Sequence, residues 1–262
     1  MADKLRIGLV QMRSEKGAIA ENLAIMSRYI VEADDKGIDI LGFPEASLTG
    51  YSDRGKHPGA IIRSDGPEMQ SLLAVTKGRH LVVLAGFIEE NRCGLPFVAQ
   101  AVISDGNLVG CYRKNTIVDD DTTYLAAGET VPVFRCGTSR FGIAICSDIG
   151  NEDVFAACAR QGAKIVFELA APGLYGEQAT RNRESGFRWW EGVCLEKLTA
   201  YSRKYGIWTA VATQAGRTVD EDFPGGGYVF NPTGERMLAT PDWSEGVVYA
   251  EMDFVKGTVR TV

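Results

Sequence analysis

Leu5-Arg-Ile-Gly-Leu-Val-Gln-Met12 and Ile38-Asp-Ile-Leu-Gly-Phe43-Pro-Glu45 bracket the stretch that decides the fold. Each opens on a short apolar run that reads as a buried strand. Between them, Leu23, Met26, Ile30 and Ala33 recur at helical spacing, and Gly37 follows as a helix-ending residue. Strand, helix, strand is the unit of an α/β protein. The second strand carries a carboxylate, Glu45, at its C-terminal end, where such folds place their sites.

The pattern continues outward. Asp65-Gly-Pro67 opens a helix to about residue 77, with Pro67 suited to the first turn. A strand over 81–88 follows. Strands over 97–103 and 108–112 flank Asp105-Gly106, a strong hairpin signal. Lys114 lies just beyond, and Asp119-Asp-Asp121 opens a polar loop to Gly128. Strands are expected at 131–134 and 141–145 around Gly137. A helix over 152–161 and a strand over 163–169 come next. A helix over 189–205 ends at Gly206, and a strand follows over 207–213. Strands at 228–231, 236–239 and 246–252 complete the set, with a short tail after Asp253. No low-complexity linker divides the chain, so 1–262 reads as one domain.

Composition excludes several function classes. The 262 residues are 45% hydrophobic and 24% charged, as for a soluble globular protein with a sizeable core. A net charge of −6 argues against a nucleic-acid or anionic-membrane partner. Arg181, Arg183 and Arg188 are the nearest thing to a basic patch and read as a solvated loop face. The six cysteines form no C-x-x-C pair and no zinc-type cluster, and with two histidines a metal site would have to rely on carboxylates. No signal peptide or apolar run of membrane length is visible, and a reduced cytoplasmic setting is expected.

Cys146 ends an apolar strand in Arg140-Phe-Gly-Ile-Ala-Ile-Cys146-Ser-Asp148, and only His57 and His80 exist to activate it. A free thiol is mostly protonated at neutral pH, so a nucleophilic Cys146 needs another base. Glu45 and Lys114 are the candidates, since both also follow strands. Together the three could make a covalent acyl-transfer site. Cys146 would attack a carbonyl or nitrile carbon, and Glu45 would carry the proton. Lys114 and the Ser147 amide would hold the oxyanion. Taken singly, each has a bland reading: a packing cysteine, a turn carboxylate, a surface lysine.

Phe-Pro-Glu45-Ala-Ser-Leu-Thr-Gly-Tyr51, Tyr-Arg-Lys114 and Gly-Ile-Ala-Ile-Cys146-Ser-Asp148 resemble, in order, the three signature blocks of the nitrilase, or carbon–nitrogen hydrolase, superfamily. Leu5–Met12, Gly162-Ala-Lys-Ile-Val-Phe, Ala212-Thr-Gln-Ala-Gly216 and Gly226-Gly-Tyr-Val-Phe-Asn-Pro-Thr-Gly234 resemble further family segments, so the likeness covers nearly the whole chain. It implies a four-layer α-β-β-α sandwich and a Glu45-Lys114-Cys146 triad, and it implies no cofactor and no metal. It also implies a small amide as substrate and homodimers or larger homo-oligomers. An amidase releasing ammonia or an amine is the leading expectation. An N-carbamoyl hydrolase, a nitrilase, an ammonia-supplying subunit and a silent binding protein of the same fold are the alternatives.

Two positions depart from the family pattern. Asp121 stands where a second Glu is common, and either orients Lys114 or the substrate or belongs to a solvated loop. Ile149-Gly150 stands where an aromatic or Arg often touches substrate, which weakens carboxylate-bearing substrates. Glu168 is unusual inside the apolar Ile165-Val-Phe-Glu168-Leu. It would face a cationic substrate group or pair across a subunit interface. Tyr51 and Tyr175 are candidate pocket residues, whereas Trp189 and Trp190 read as helix packing or a dimer contact.

Overall fold

The computed structural model describes residues 4–51, 55 and 57–262. In chain order the strands of the first half are β1 (Lys4–Gln11), β2 (Ile40–Gly42), β3 (Ile61–Ile62), β4 (Val82–Glu89), β5 (Phe97–Ser104) and β6 (Asn107–Arg113). Those of the second half are β7 (Phe134–Cys136), β8 (Ser139–Ile145), β9 (Ile165–Ala170), β10 (Trp208–Thr213), β11 (Ala215–Arg217), β12 (Asp222–Pro224), β13 (Gly227–Phe230), β14 (Arg236–Ala239), β15 (Gly246–Asp253) and β16 (Thr258–Thr261). The helices are α1 (Ile19–Asp35), α2 (Pro67–Thr76), α3 (Glu152–Arg160) and α4 (Arg183–Tyr205).

Strands β11 and β12 pair as a separate two-stranded ribbon, and the other strands form two large mixed sheets. One runs β16-β15-β1-β2-β4-β5-β6 with β3 beside β4, and the other runs β14-β13-β10-β9-β8-β7. Alternation along β1 shows how they stack. Leu5, Ile7 and Leu9 join a core with Phe141, Ile143 and Phe167 of the second sheet. Val10 joins a separate core with Met26 and Ile30 of α1 and Leu72 of α2. Helices α3 and α4 cover the outer face of the second sheet. The result is a four-layer α-β-β-α sandwich. Each fully buried aliphatic or aromatic side chain in these layers contributes roughly 1.5–3 kcal/mol.

The hairpin signal has its physical cause in the backbone. Asp105 and Gly106 both take positive φ, 47° and 74°, as a two-residue turn between β5 and β6 requires. Gly206 ends α4 at φ 65°. Three expectations need correction. Residues 131–133 are not strand, and β7 begins at Phe134. Helix α4 begins at Arg183 rather than at 189, because Asn182 caps it by accepting from the Ser185 amide. The tail after Asp253 carries β16, which pairs with β15.

Candidate active site

The turn after β2 carries Glu45 and is clamped onto β4. Ser47 Oγ accepts from the Gly86 amide at 2.9 Å, and the Leu48 amide donates to Gly86 O at 2.8 Å. Gln100 Nε2 donates to Phe43 O at 3.1 Å. Gly86 is required there: a Cβ would lie 2.3 Å from Ala46 N and 2.6 Å from Pro44 O. Lys114 leaves β6 with its amide on Val98 O, and its carbonyl accepts from Gly128 N at 2.7 Å. Cys146 closes β8 at φ 48°, a left-handed conformation that non-glycine residues rarely adopt and that clusters at functional sites.

These three stretches converge. Lys114 Nζ donates to Glu45 Oε1 at 2.8 Å, with both side chains almost wholly removed from solvent. Glu45 Oε2 accepts from the Ala171 amide at 3.0 Å, and the Cys146 thiol lies near enough to favour the charged form of Glu45. Glu45, Lys114 and Cys146 line one cavity of about 540 Å³. Ser147 lines it too, its Oγ donating to Thr116 O at 2.5 Å.

Burial decides the electrostatics. It pushes the Glu45 carboxyl above the usual 4.5, with the Lys114 ammonium pulling back in part. Burial also works against charge on Lys114, but Glu45 and Cys146 outweigh it and hold the ammonium above the usual 10.5. The Cys146 thiol is driven well above the usual 9.0, first by burial and then by Glu45, with Lys114 opposing. The resting site is therefore a thiol beside a carboxylate–ammonium pair. A nucleophilic sulfur there has to give up its proton during attack, and Glu45 is placed to take it.

Tyr51, Tyr175 and Asp121 all line the cavity. The Tyr51 and Tyr124 hydroxyls both donate to Asp121. Lys114 Nζ stands 5.6 Å from the centre of the Tyr51 ring. Tyr51 thus connects Asp121 to Lys114, and no direct Asp121–Lys114 bond occurs among the described residues. Trp189 and Trp190 border the cavity as well as packing on the helix, with Trp190 Nε1 donating to Thr213 Oγ1. Glu168 meets neither expectation. It is fully buried within its own chain and is absent from the cavity lining. Arg181 is not solvated either, lying buried 3.2 Å from Asp222.

Two contributors escaped sequence reading. Asp148 is a buried hub that accepts from Tyr112 OH at 2.6 Å, Thr116 N at 2.8 Å and Ile145 N at 3.0 Å. It fastens the Cys146 turn to the end of β6, and its place in Cys146-Ser-Asp148 was the available signal. Ala171 contributes only a backbone donor, which no side chain advertises.

Known proteins resemble the chain along most of its length. It is 26% identical over 258 residues to a glutamine-dependent NAD(+) synthetase of Thermotoga maritima, covering 95% of this chain and 42% of the relative. The chain thus spans less than half the length of that relative. It is 27% identical to an omega-amidase of Bos taurus, covering 96% of this chain and 89% of that one. Among solved structures, an amidase from Nesterenkonia sp. superposes with a TM-score of 0.80 at 19% identity, covering 96% of this chain and 92% of the other. A glutamine-dependent NAD+ synthetase from Acinetobacter baumannii superposes with a TM-score of 0.79 at 23% identity, covering 99% and 47%. The carbon-nitrogen hydrolase family model matches residues 6–258, and the chain belongs to that family.

Proposed function

We propose that this carbon–nitrogen hydrolase cleaves a small linear amide through a thioester on Cys146. The observation that carries the reading is the buried Glu45–Lys114 pair, 2.8 Å apart, in the cavity that also holds the left-handed Cys146. Cys146 Sγ attacks the amide carbon while Glu45 accepts its proton. The carbonyl oxygen becomes an oxyanion, which Lys114 and the Ser147 amide stabilise. Glu45 returns the proton to the leaving nitrogen, the C–N bond breaks and ammonia departs. Water then gives its proton to Glu45 and attacks the thioester, which releases the acid and restores the thiol. General-base help of this kind is worth roughly 10²–10⁴-fold in rate. Tyr51, Asp121 and Tyr175 shape the space beside the reacting carbon.

The similarity to glutamine-dependent NAD(+) synthetases favours a second reading, in which the same chemistry releases ammonia for another reaction. One experiment tests both. Ammonia release is measured with a panel of short linear amides including glutamine, with carbamoyl amines and nitriles alongside. Turnover of uncharged linear amides is expected. Preference for glutamine would select the ammonia-supplying reading, and no release from any amide by folded protein would end the proposal.

A further inference from the structure

Glu168 is the buried titratable group that the hydrolytic steps leave unused. On β9, Phe167 meets Phe141 edge-on, and both Phe167 and Leu169 approach Gly42 of the first sheet. Glu168 lies between them in sequence, so it points to the opposite face, under the helices. On the neighbouring strand it pairs in register with Ala144, two residues before Cys146. Neither of its carboxyl oxygens has a hydrogen-bond partner among the described residues, and the residue has no solvent exposure. An isolated carboxylate in such a place is too costly to keep, and the group takes up a proton instead. Burial, with Asp148 and Glu45 adding to it, raises its proton affinity far above a normal glutamate.

Its strand neighbours, Ala144 of β8 and Val211 of β10, are apolar, and the titratable and charged groups around it come from the turns and from α4. Glu45 comes from the turn after β2 and Lys114 from the end of β6. Asp148 and the Cys146 amide come from the turn after β8. That amide approaches Glu168 closely enough to favour its charged form without reaching hydrogen-bonding geometry. Cys194 and Tyr201 face it from α4, and Cys194 also lies within the field of Cys146. The Cys146 sulfur in turn feels Glu168 directly. Only Lys114 among these is a cation, and it is already paired with Glu45.

We infer that Glu168 is an uncharged carboxylic acid packed behind Cys146, outside the reacting groups, whose ionisation switches the site off. Sulfur and the carbonyl oxygen gain negative charge during attack. A neutral Glu168 leaves that charge to Lys114, and an ionised Glu168 opposes it. The inference rests on Cys146 being the nucleophile, and Cys146→Ala tests that premise separately.

The test is the pH profile of kcat/KM for ammonia release by the wild type and Glu168→Gln, with thermal unfolding followed in parallel. Once Glu168 ionises, the wild type is expected to lose about tenfold in kcat/KM for each further pH unit on its alkaline side, the slope of a single ionisation. Glu168→Gln is expected to keep the neutral-pH rate within about threefold and to move or abolish that alkaline loss. Should the Gln variant fail to fold, Glu168→Met serves, because it too cannot ionise. A wild-type profile flat through pH 10, or an alkaline limb that superposes in the variant, overturns the inference. If Cys146→Ala instead retains turnover, the proposed function fails first.

Discussion

Gly86→Ala perturbs the site without touching any of its side chains. The added methyl would sit 2.3 Å from Ala46 N, whereas ordinary contact begins at 3.4 Å. All three clashing atoms, Ala46 N, Pro44 O and Glu45 C, are backbone, so no side-chain rotation relieves them. The turn holding Glu45 must retreat by about 1 Å, and a misplacement of that size costs roughly 10²-fold in rate. Overpacking of this kind also costs about 1–3 kcal/mol of stability. The assay is kcat for ammonia release from an amide the protein turns over, with chemical denaturation on the same preparation. Gly246→Ala is the control, since a methyl there meets nothing within 4 Å. A Gly86→Ala protein with wild-type kcat and stability would refute the claim that backbone contact with β4 places Glu45.

Other expectations follow from the same geometry. Glu45→Gln removes the base and leaves the Lys114 ammonium buried beside a neutral amide, so kcat/KM should fall by ~10²–10⁴-fold. Stability should fall as well, by up to ~3–5 kcal/mol; a variant with half the wild-type rate would contradict the base assignment. In the wild type only ionised Glu45 accepts the thiol proton, so kcat/KM should drop as pH falls through a value above the usual 4.5. A limb at or below 4.5 would contradict the burial that raises it. Asp148→Ala strips the acceptor from Tyr112 OH, Thr116 N and Ile145 N. About 3 kcal/mol or more should be lost in urea unfolding, because each of the three donors left unpaired costs ~1–3 kcal/mol. A loss under ~0.5 kcal/mol would show that Asp148 is no hub.

Much of this architecture is legible in the chain because burial writes itself as apolar density. Strand β4, with eight buried residues, is visible as Val82-Val-Leu-Ala-Gly-Phe-Ile88. The hairpin shows at Asp105-Gly106 because few other pairs tolerate two positive φ angles. The start of α4 is obscured by Arg183-Glu-Ser-Gly186, where polar residues and a glycine blur the helical period. Strand β16 is an exposed edge, Thr258-Val-Arg-Thr261, with little apolar alternation to betray it. The site divides along the same line. Glu45, Lys114 and Cys146 each stand at a strand end, so their candidacy can be read locally. Their meeting cannot, because separations of 69 and 126 residues in the Glu45 contacts are closed only by the stacking of two sheets. Glu168 was visible as an anomaly, but its face depends on a register with β8 that one strand alone does not reveal.

The most direct measurement is ammonia release by Cys146→Ala, compared with the wild type on the same amide and at matched thermal stability. The account predicts that turnover disappears while the unfolding temperature stays within a few degrees, since removing one partly buried sulfur costs little packing. A folded Cys146→Ala protein that still releases ammonia at the wild-type rate would contradict the thioester chemistry.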